Sequence, residues 1–309
     1  MHTFVQHSGI KDTVVEIRGE RTSMPGQVEE ILMIVKTYPT PSKKLGEVVC
    51  TAGIRLRDMA WVRLYPYPFR QADRDFQFQT WQRIQAHIEK SDSRDRRPES
   101  HKLVDVSTIR HLGAPIGTDN GTWKTRMPYI YKTEVPSVQV LLDGIPEKGE
   151  DAWGPTIRPV RIQPGAKLTA EPKKDEDWTE EERASLAKAK YAAENSLFTT
   201  YAPDTFRTLQ KIPYQFRLTF KDMTGEEYSY IILDWGLAVL YLRYAADPLD
   251  AIEKVRHKME VQICGPDKET YLILGNMNHG FKQRQLAIVG LVHPKLSREK
   301  LRLPEGGLF

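Results

Sequence analysis

The sequence has little cysteine and no long apolar run, and both absences narrow the classes of protein that it can encode. Its 309 residues include two cysteines, Cys50 and Cys264, which lie far apart in apolar surroundings. We expect two reduced core thiols, as in a cytoplasmic protein. No window approaches the roughly 18 apolar residues that span a membrane. The first 20 residues lack the basic start and apolar core of a secretory signal. We therefore predict a cytoplasmic location without membrane insertion.

The common metal and cofactor motifs are also missing. The sequence contains no Cys-x-x-Cys pair and no His-Glu-x-x-His motif, and its eight histidines are dispersed. It has neither a Walker A loop nor the dinucleotide-binding Gly-x-Gly-x-x-Gly. We therefore expect no bound metal and no cofactor.

Positive charge is concentrated in one part of the chain. Residues 36–110 contain 15 Lys or Arg against nine Asp or Glu, a net charge of +6, whereas the whole chain carries only +4. A basic segment on a near-neutral body suits a polyanionic partner. The alternative is a solvated surface with scattered ion pairs. The charge favours nucleic acid as the partner. We expect DNA rather than RNA, although the charge does not distinguish the two, and the oligomeric state is left open.

The N-terminal half alternates strand patterns with one helix pattern. Residues 31–35 form a continuous apolar run of strand length, and residues 61–65 alternate as a strand does. Between them, Ser42 can cap a short helix that ends near Gly53. Residues 76–88 form a further element whose type the pattern leaves open. We predict a mixed sheet with a short helix.

The middle of the chain is irregular and then highly charged. Residues 113–165 are rich in Gly and Pro, which predicts a long excursion with short strands. Thr179 and Glu182 have the spacing of a capping box, so a helix should begin there and run to about residue 198. Its exposed charges favour a solvated connector.

The C-terminal half predicts a hairpin followed by helices. The predicted elements are hairpin strands 214–220 and 228–233, helices that begin at Asp234 and Asp247, and closing strands 271–274 and 286–292. The inward stripe of the second helix is Leu249, Ile252, Val255 and Met259. We therefore predict an α+β protein divided into a basic, aromatic half (1–168), a helical connector (169–198) and an α+β half (199–309).

Aromatic and arginine side chains alternate along the strand near residue 61. The group comprises Trp61, Arg63, Tyr65, Tyr67 and Arg70. Flat rings stack on unpaired bases, and nearby guanidinium groups contact phosphates. The alternative is a half-buried strand whose rings fill a core. For the group as a whole we favour a nucleic-acid-binding edge.

A charged loop near residue 95 supplies candidate catalytic groups. Arg97 can clamp a phosphate while Asp92 or Glu99 activates a water or stabilises a positively charged sugar. The alternative is that these charged residues form a solvent-exposed loop without a catalytic role.

A third candidate group precedes these residues. The group comprises Lys36, Tyr38, Ser42, Lys43 and Lys44 with Glu47, and Ser42 with the backbone amides of a helix start can bind an anion. Residues 44–47, Lys-Leu-Gly-Glu, resemble the Lys-x-x-Glu core of ASCH and PUA-like domains, but without the flanking Gly and Arg of that family. This resemblance implies a small β-barrel that binds RNA or modified nucleobases.

The C-terminal half adds polar groups that suit base recognition. Asp234 is a further candidate catalytic carboxylate, Asn276 can read a base edge, and His279 can act as an acid or base. The alternative is a polar turn between strands. Residues 291–297 are similar to the His-Pro-Ser-Pro-Leu loop of uracil-DNA glycosylases, with two departures and without that family's water-activating motif.

Together these patterns favour a nucleic-acid-directed protein that handles modified or flipped bases. If it is an enzyme, metal-independent excision of a base, as in DNA glycosylases, fits best. The alternative is a non-catalytic reader or adaptor for modified nucleic acid. A third possibility is a metal-dependent nuclease, since Asp151 with Glu171 and Lys173 follows a nuclease-like pattern.

Overall fold

The structure, a computed structural model, describes residues 26–91, 95–147, 152–194, 208–277 and 283–296. These residues form a closed β-barrel and a second, six-stranded sheet with helices. The α+β class predicted from the sequence is confirmed.

The barrel occupies the first part of the described chain. Its strands are β1 (Gln27–Lys36), β2 (Thr40–Ser42), β3 (Gly46–Arg55), β4 (Trp61–Tyr67), β5 (Gln82–Lys90), β6 (Ser100–Leu103) and β7 (Arg110–His111). They pair in the order β1-β3-β4-β6-β5, and β5 pairs back with β1. This last pairing closes the barrel and leaves β1 bonded on both sides.

Strand β1 is apolar on both faces because it separates two hydrophobic clusters. Ile31 and Met33 point into the barrel interior, while Leu32 and Ile34 point toward the second sheet. The alternation of side chains along a strand produces this division. The continuous apolar run in the sequence is therefore the mark of a strand buried on both sides.

The predicted short helix after Ser42 is wrong. The Ser42 hydroxyl does accept a hydrogen bond from the Leu45 amide at 3.3 Å, but the chain makes a single turn and continues as β3. That segment carries β-branched Val48 and Val49 and pairs with both β1 and β4. Gly53 does not end a helix. A Cβ there would lie 2.3 Å from the Leu32 carbonyl oxygen, so the close approach of the strands requires glycine.

In the irregular middle of the chain, strand Ile157–Arg161 agrees with the predicted short strands, but the structure also has two short helices that were not predicted. These are α1 (Met127–Tyr131) and α2 (Val138–Asp143). Pro128 lies in the first turn of α1, and the Ser137 hydroxyl caps α2 by accepting from the Val140 amide at 3.3 Å. The element left open at residues 76–88 is β5, which follows the 3₁₀ turn Arg74–Phe76 after five residues without regular structure.

The second sheet follows these helices. Its strands are β8 (Ile157–Arg161), β9 (Lys167–Pro172), β10 (Tyr214–Lys221), β11 (Glu227–Ile232), β12 (Tyr271–Asn276) and β13 (Leu286–Val292). Their order is β8-β12-β13-β11-β10-β9, and the β11–β13 pair is parallel. The predicted hairpin is confirmed as β10 and β11. The sheet also includes β8 and β9, which precede residue 173. The sheet therefore contains residues on both sides of residue 168, the end of the predicted N-terminal half.

The helices of this half begin at the predicted caps. They are α3 (Glu180–Glu194), α4 (Trp235–Tyr244) and α5 (Pro248–His257), the last continuing as a π-helical segment, Lys258–Ile263. Thr179 and Glu182 exchange the two hydrogen bonds of a capping box. The predicted stripe of α5 is correct except at Leu249, which is 78% exposed. In the described part of the chain, no helix is long and apolar enough to cross a bilayer.

The barrel and the helices cover opposite faces of the second sheet. One face carries Leu272 and Ile288, which pack with α2, α4 and α5. The other face carries Ile273 and Val289, which pack with Leu32 and neighbouring residues of the barrel wall. Burial of these three apolar layers drives the assembly of the two halves into one structure.

Candidate functional site

A cleft lies where the barrel meets the start of α4. Strand β1 leaves the barrel and bonds to the segment before α4, through a bridge of Thr37 to Asp234 and a 2.9 Å bond from the Tyr38 amide to the Leu233 carbonyl. These bonds place Lys36 and Tyr38 beside Asp234 and Trp235. The sequence separates the two groups by almost 200 residues.

The cleft is basic and has a volume of about 830 Å³. Its basic lining residues are Lys36, Arg243, Lys254, His257, Lys258 and His293. Among the described residues that line it, only Asp234 carries a carboxylate. Such a cleft attracts anions of the size of a nucleotide.

Asp234 caps α4 and also faces the cleft. Its Oδ1 atom accepts from the Leu237 amide at 3.0 Å, and the Gly236 amide also donates to the carboxylate. Burial raises its pKa to about 6, although these amides and the charge of Lys36 act in the opposite direction. The carboxyl group can therefore exchange a proton near neutral pH.

Lys36 lies against two aromatic rings at the same end of the cleft. Its Nζ atom is 4.3 Å from the centre of the Phe69 ring and 4.7 Å from that of Trp235. Burial lowers its pKa to about 8, and the nearby charge of Asp234 opposes this shift. Both ionisable groups thus change charge within two pH units of neutrality, which is typical of functional sites.

Tyr38 does not line the cleft but supports Trp235, which does. Its ring meets Trp235 edge-on with 6.2 Å between ring centres, and its hydroxyl donates to the Gln210 carbonyl at 2.8 Å. Burial raises its pKa to about 12. Tyr38 therefore remains a neutral phenol that fixes Trp235.

His293 closes another side of the cleft. It directly follows β13 and packs on Trp123, with 5.0 Å between ring centres. Burial lowers its pKa to about 4, and the charges of Lys258 and Lys268 act in the same direction. The imidazole is consequently neutral at physiological pH and accepts or donates hydrogen bonds as an uncharged ring.

Four other predicted residues meet at a second place, inside the junction of barrel and sheet. Arg63 donates through Nη2 to the Thr156 carbonyl at 2.8 Å and to Asn276 Oδ1 at 3.4 Å. Arg97 donates through Nη1 to the same Asn276 oxygen at 3.4 Å. Both guanidinium groups are buried, with 2% and 5% of each residue exposed.

Carboxylates balance the charge of this junction. Glu99 accepts from the Thr156 amide at 2.7 Å and from its hydroxyl at 3.0 Å, and it lies 3.5 Å from Arg158. Asp95 receives two bonds from Arg97, at 2.8 and 2.7 Å. Burial lowers the pKa of Arg63 to about 10, with Arg97 adding to the effect. This arrangement clamps the barrel to the sheet, and its groups face each other rather than solvent.

The predicted aromatic edge of β4 is therefore not an open surface. Trp61 and Tyr67 are 2% and 0% exposed because they fill two hydrophobic clusters, and only Tyr65, at 44%, reaches solvent. Arg70 lies 3.2 Å from Glu47, a buried carboxylate whose pKa is raised by burial. The predicted nucleic-acid-binding edge along β4 is wrong, since Arg63 lies inside the junction and a bulge opposite Val49 turns Tyr67 away from the face that carries Trp61.

Ser42 and Lys43 are not among the residues that line the cleft. Ser42 is the last residue of β2, and Lys43 pairs with Glu181 at 2.5 Å on an exposed surface. Asp92 and His279 lie outside the described residues. In the described ranges, no group of three or more His, Cys, Asp or Glu is arranged to hold a metal ion.

Sequence reasoning missed the basic wall that α4 and α5 supply. Arg243, Lys254, His257 and Lys258 all line the cleft. The spacing of the last three, at i, i+3 and i+4, places them on one helix face and was visible in the sequence. The helix macrodipole also favours basic side chains near a helix C-terminus. The same residues can therefore be interpreted as structural, and their binding role is overlooked.

The fold and the cleft thus define a closed β-barrel joined to an α/β sheet unit, with ionisable groups at their contact. Residues 147–307 match the family described as Domain of unknown function (DUF8757). Because this match covers more than half of the chain, the protein belongs to that family. Residues 27–132 match a second model, Domain of unknown function (DUF8758). A comparison with curated proteins finds no match for the chain.

Proposed function

We propose that the protein binds nucleic acid in the basic cleft and handles a single base there. The observation that carries this proposal is the convergence of Lys36, Arg243, Lys254 and Lys258 around Trp235, with Asp234 as the lone described carboxylate. Cations hold phosphates and an indole ring offers a stacking face, so the chemistry suits a nucleotide unit. DNA is the preferred partner in this proposal.

The enzymatic form of the proposal is removal of the base from its sugar. This reaction needs a carboxylate that orients water or stabilises a sugar with positive charge at C1′. Asp234 is the candidate, because its raised pKa leaves a carboxylate at pH 7 to 8 and a protonated minority for acid catalysis. Glu99, another predicted acid, has no part in this version because it is 3% exposed within the junction, and Asp92 lies outside the described residues.

A non-catalytic reader is the second candidate, and one observation favours it. The Asp234 carboxylate already accepts helix amides at the start of α4, which is a structural task that many aspartates perform. A reader would use the same cations and the same ring without chemistry at C1′. The two functions differ in product rather than in binding.

The test combines binding and alkali treatment. Labelled oligonucleotides with and without modified bases are incubated with the protein, and binding is measured before hot alkali reveals abasic sites. We expect binding that Lys258→Ala weakens and Lys221→Ala, a change outside the cleft lining, leaves unchanged. Strand breaks that Asp234→Asn abolishes support excision, whereas tight binding without breaks supports the reader. Equal binding by wild type and Lys258→Ala would contradict a nucleic-acid role for the cleft.

The state of the two cysteines supports a cytoplasmic location for this function. Cys50 and Cys264 are both free thiols, and burial raises the pKa of Cys264 to about 12. A protonated, enclosed thiol is unreactive and is common in reduced compartments. Fractionation of cells that express a tagged chain would test the location.

A further inference from the structure

The amino group of Lys36 has surroundings that suit a nucleophile. It lies 4.3 and 4.7 Å from the centres of two aromatic rings and lines the cleft beside Asp234. Aromatic walls remove water from one side of the amine, and the cleft leaves the other side open. The outer cations Arg243, Lys254 and Lys258 remain for the phosphates. Lysines placed in this way attack carbonyl carbons.

We propose that Lys36 forms an imine with the aldehyde of an abasic deoxyribose and thereby cleaves the DNA strand next to it. The inference rests on the proposed function, since it takes the ligand of the cleft to be DNA. It adds a substrate class, an abasic site, and a reaction, β-elimination. It also gives the two ionisable groups separate tasks, Lys36 as nucleophile and Asp234 as proton carrier.

The reaction balances with these two groups and water. The neutral Lys36 amine attacks C1′ of the ring-opened sugar, and the carbonyl oxygen takes a proton from the Asp234 carboxyl group. Loss of water leaves an iminium. The Asp234 carboxylate then removes a proton from C2′, a C2′–C3′ double bond forms, and the C3′–O bond breaks to release the downstream strand with its 5′-phosphate. Water hydrolyses the imine and frees the lysine.

The ionisation states agree with this sequence. With a pKa of about 8 for Lys36, roughly a quarter of the molecules carry the free amine at pH 7.5. An ordinary lysine, with a pKa of 10.5, carries the free amine in only about one molecule in a thousand at that pH. Asp234, with a pKa of about 6, both gives and accepts a proton in the same pH range.

The test is borohydride trapping on DNA with a preformed abasic site. Borohydride reduces the iminium to a stable amine, so a covalent protein–DNA product is seen on a denaturing gel, and peptide mass spectrometry locates it. We expect the product on Lys36. It should be lost in Lys36→Arg, which keeps the cation but supplies no free amine, and retained in Lys102→Arg, where Lys102 pairs with Glu89 outside the cleft lining.

The outcomes separate this inference from the proposed function. A product on another lysine, or one that persists in Lys36→Arg, overturns the role of Lys36. Binding of abasic DNA without any product also overturns it, yet leaves base handling intact. Failure of wild type to bind any DNA defeats both. Mapping the product in the wild-type protein keeps the test valid if Lys36→Arg folds poorly.

Discussion

The carboxylate of Asp234 should make the protein less stable at neutral pH than the corresponding amide would. The change Asp234→Asn keeps a side chain that caps α4, since Asn and Asp are equally good N-caps. It removes the group whose charged form is disfavoured by burial. We therefore expect the variant to gain stability where the wild type is ionised, while it loses any activity that depends on the carboxylate.

The size of this stability gain, and the pH range in which it appears, follow from the shift in the pKa of Asp234. A pKa raised from 3.8 to about 6 corresponds to about 3 kcal/mol, and partial exposure reduces this to roughly 1–3 kcal/mol. Because the pKa is raised on folding, the stabilising contribution is complete below pH 3.8 and is lost as the pH rises through about 6. The advantage of Asp234→Asn should thus be absent near pH 3.8 and full above pH 7.

Urea unfolding at several pH values between 4 and 8 measures this difference. Asp247→Asn is the matched control, because Asp247 caps α5 from an exposed position with bonds to the Leu249 and Asp250 amides. We expect the control to change stability by only a few tenths of a kcal/mol. If Asp234→Asn changes the free energy of unfolding by the same amount at pH 4 and pH 7.5, the result contradicts a raised pKa for Asp234.

Three further changes test other parts of the structure. Glu99→Gln removes a buried charge from the junction and should cost about 3 kcal/mol in urea unfolding at pH 7; a cost below 1 kcal/mol would contradict a clamp. Gly53→Ala should cost about 3 kcal/mol or more, since its Cβ meets the Leu32 carbonyl, whereas Gly117→Ala, with open space around it, should change stability by at most about 1 kcal/mol. Lys258→Ala should lower the salt dependence of DNA binding by about one ion, and an unchanged slope would remove it from the interface.

Local sequence patterns were enough to place most of the secondary structure. The capping residues Asp234 and Asp247 identified both helix starts, because a cap acts through amides within three residues. The hairpin of β10 and β11 followed from alternation around Gly225. The helix predicted after Ser42 failed for the converse reason: pairing of β3 with two distant strands outweighed a local turn.

Individual residues of the cleft were predicted from the sequence, but their grouping in space was not. Lys36, Tyr38 and Asp234 were each chosen for their chemistry, yet only the bonding of β1 to residues 233 and 234 brings them together. Arg63 and Arg97 looked like phosphate ligands because sequence does not report burial, and each donates hydrogen bonds inside the junction. Long-range pairings such as these have no local pattern in the sequence.

The Arg63 clamp has a consequence for how the two halves of the chain can be exchanged. Two separate family models cover residues 27–132 and 147–307, so the halves look like modules that could be recombined. Arg63 belongs to one half, whereas its acceptors Thr156 and Asn276 belong to the other. In a chimera whose second half came from another protein and lacked those oxygen atoms, the buried Arg63 guanidinium would lose these hydrogen-bond acceptors. Compatible halves must therefore be chosen as matched pairs, however freely their surfaces differ.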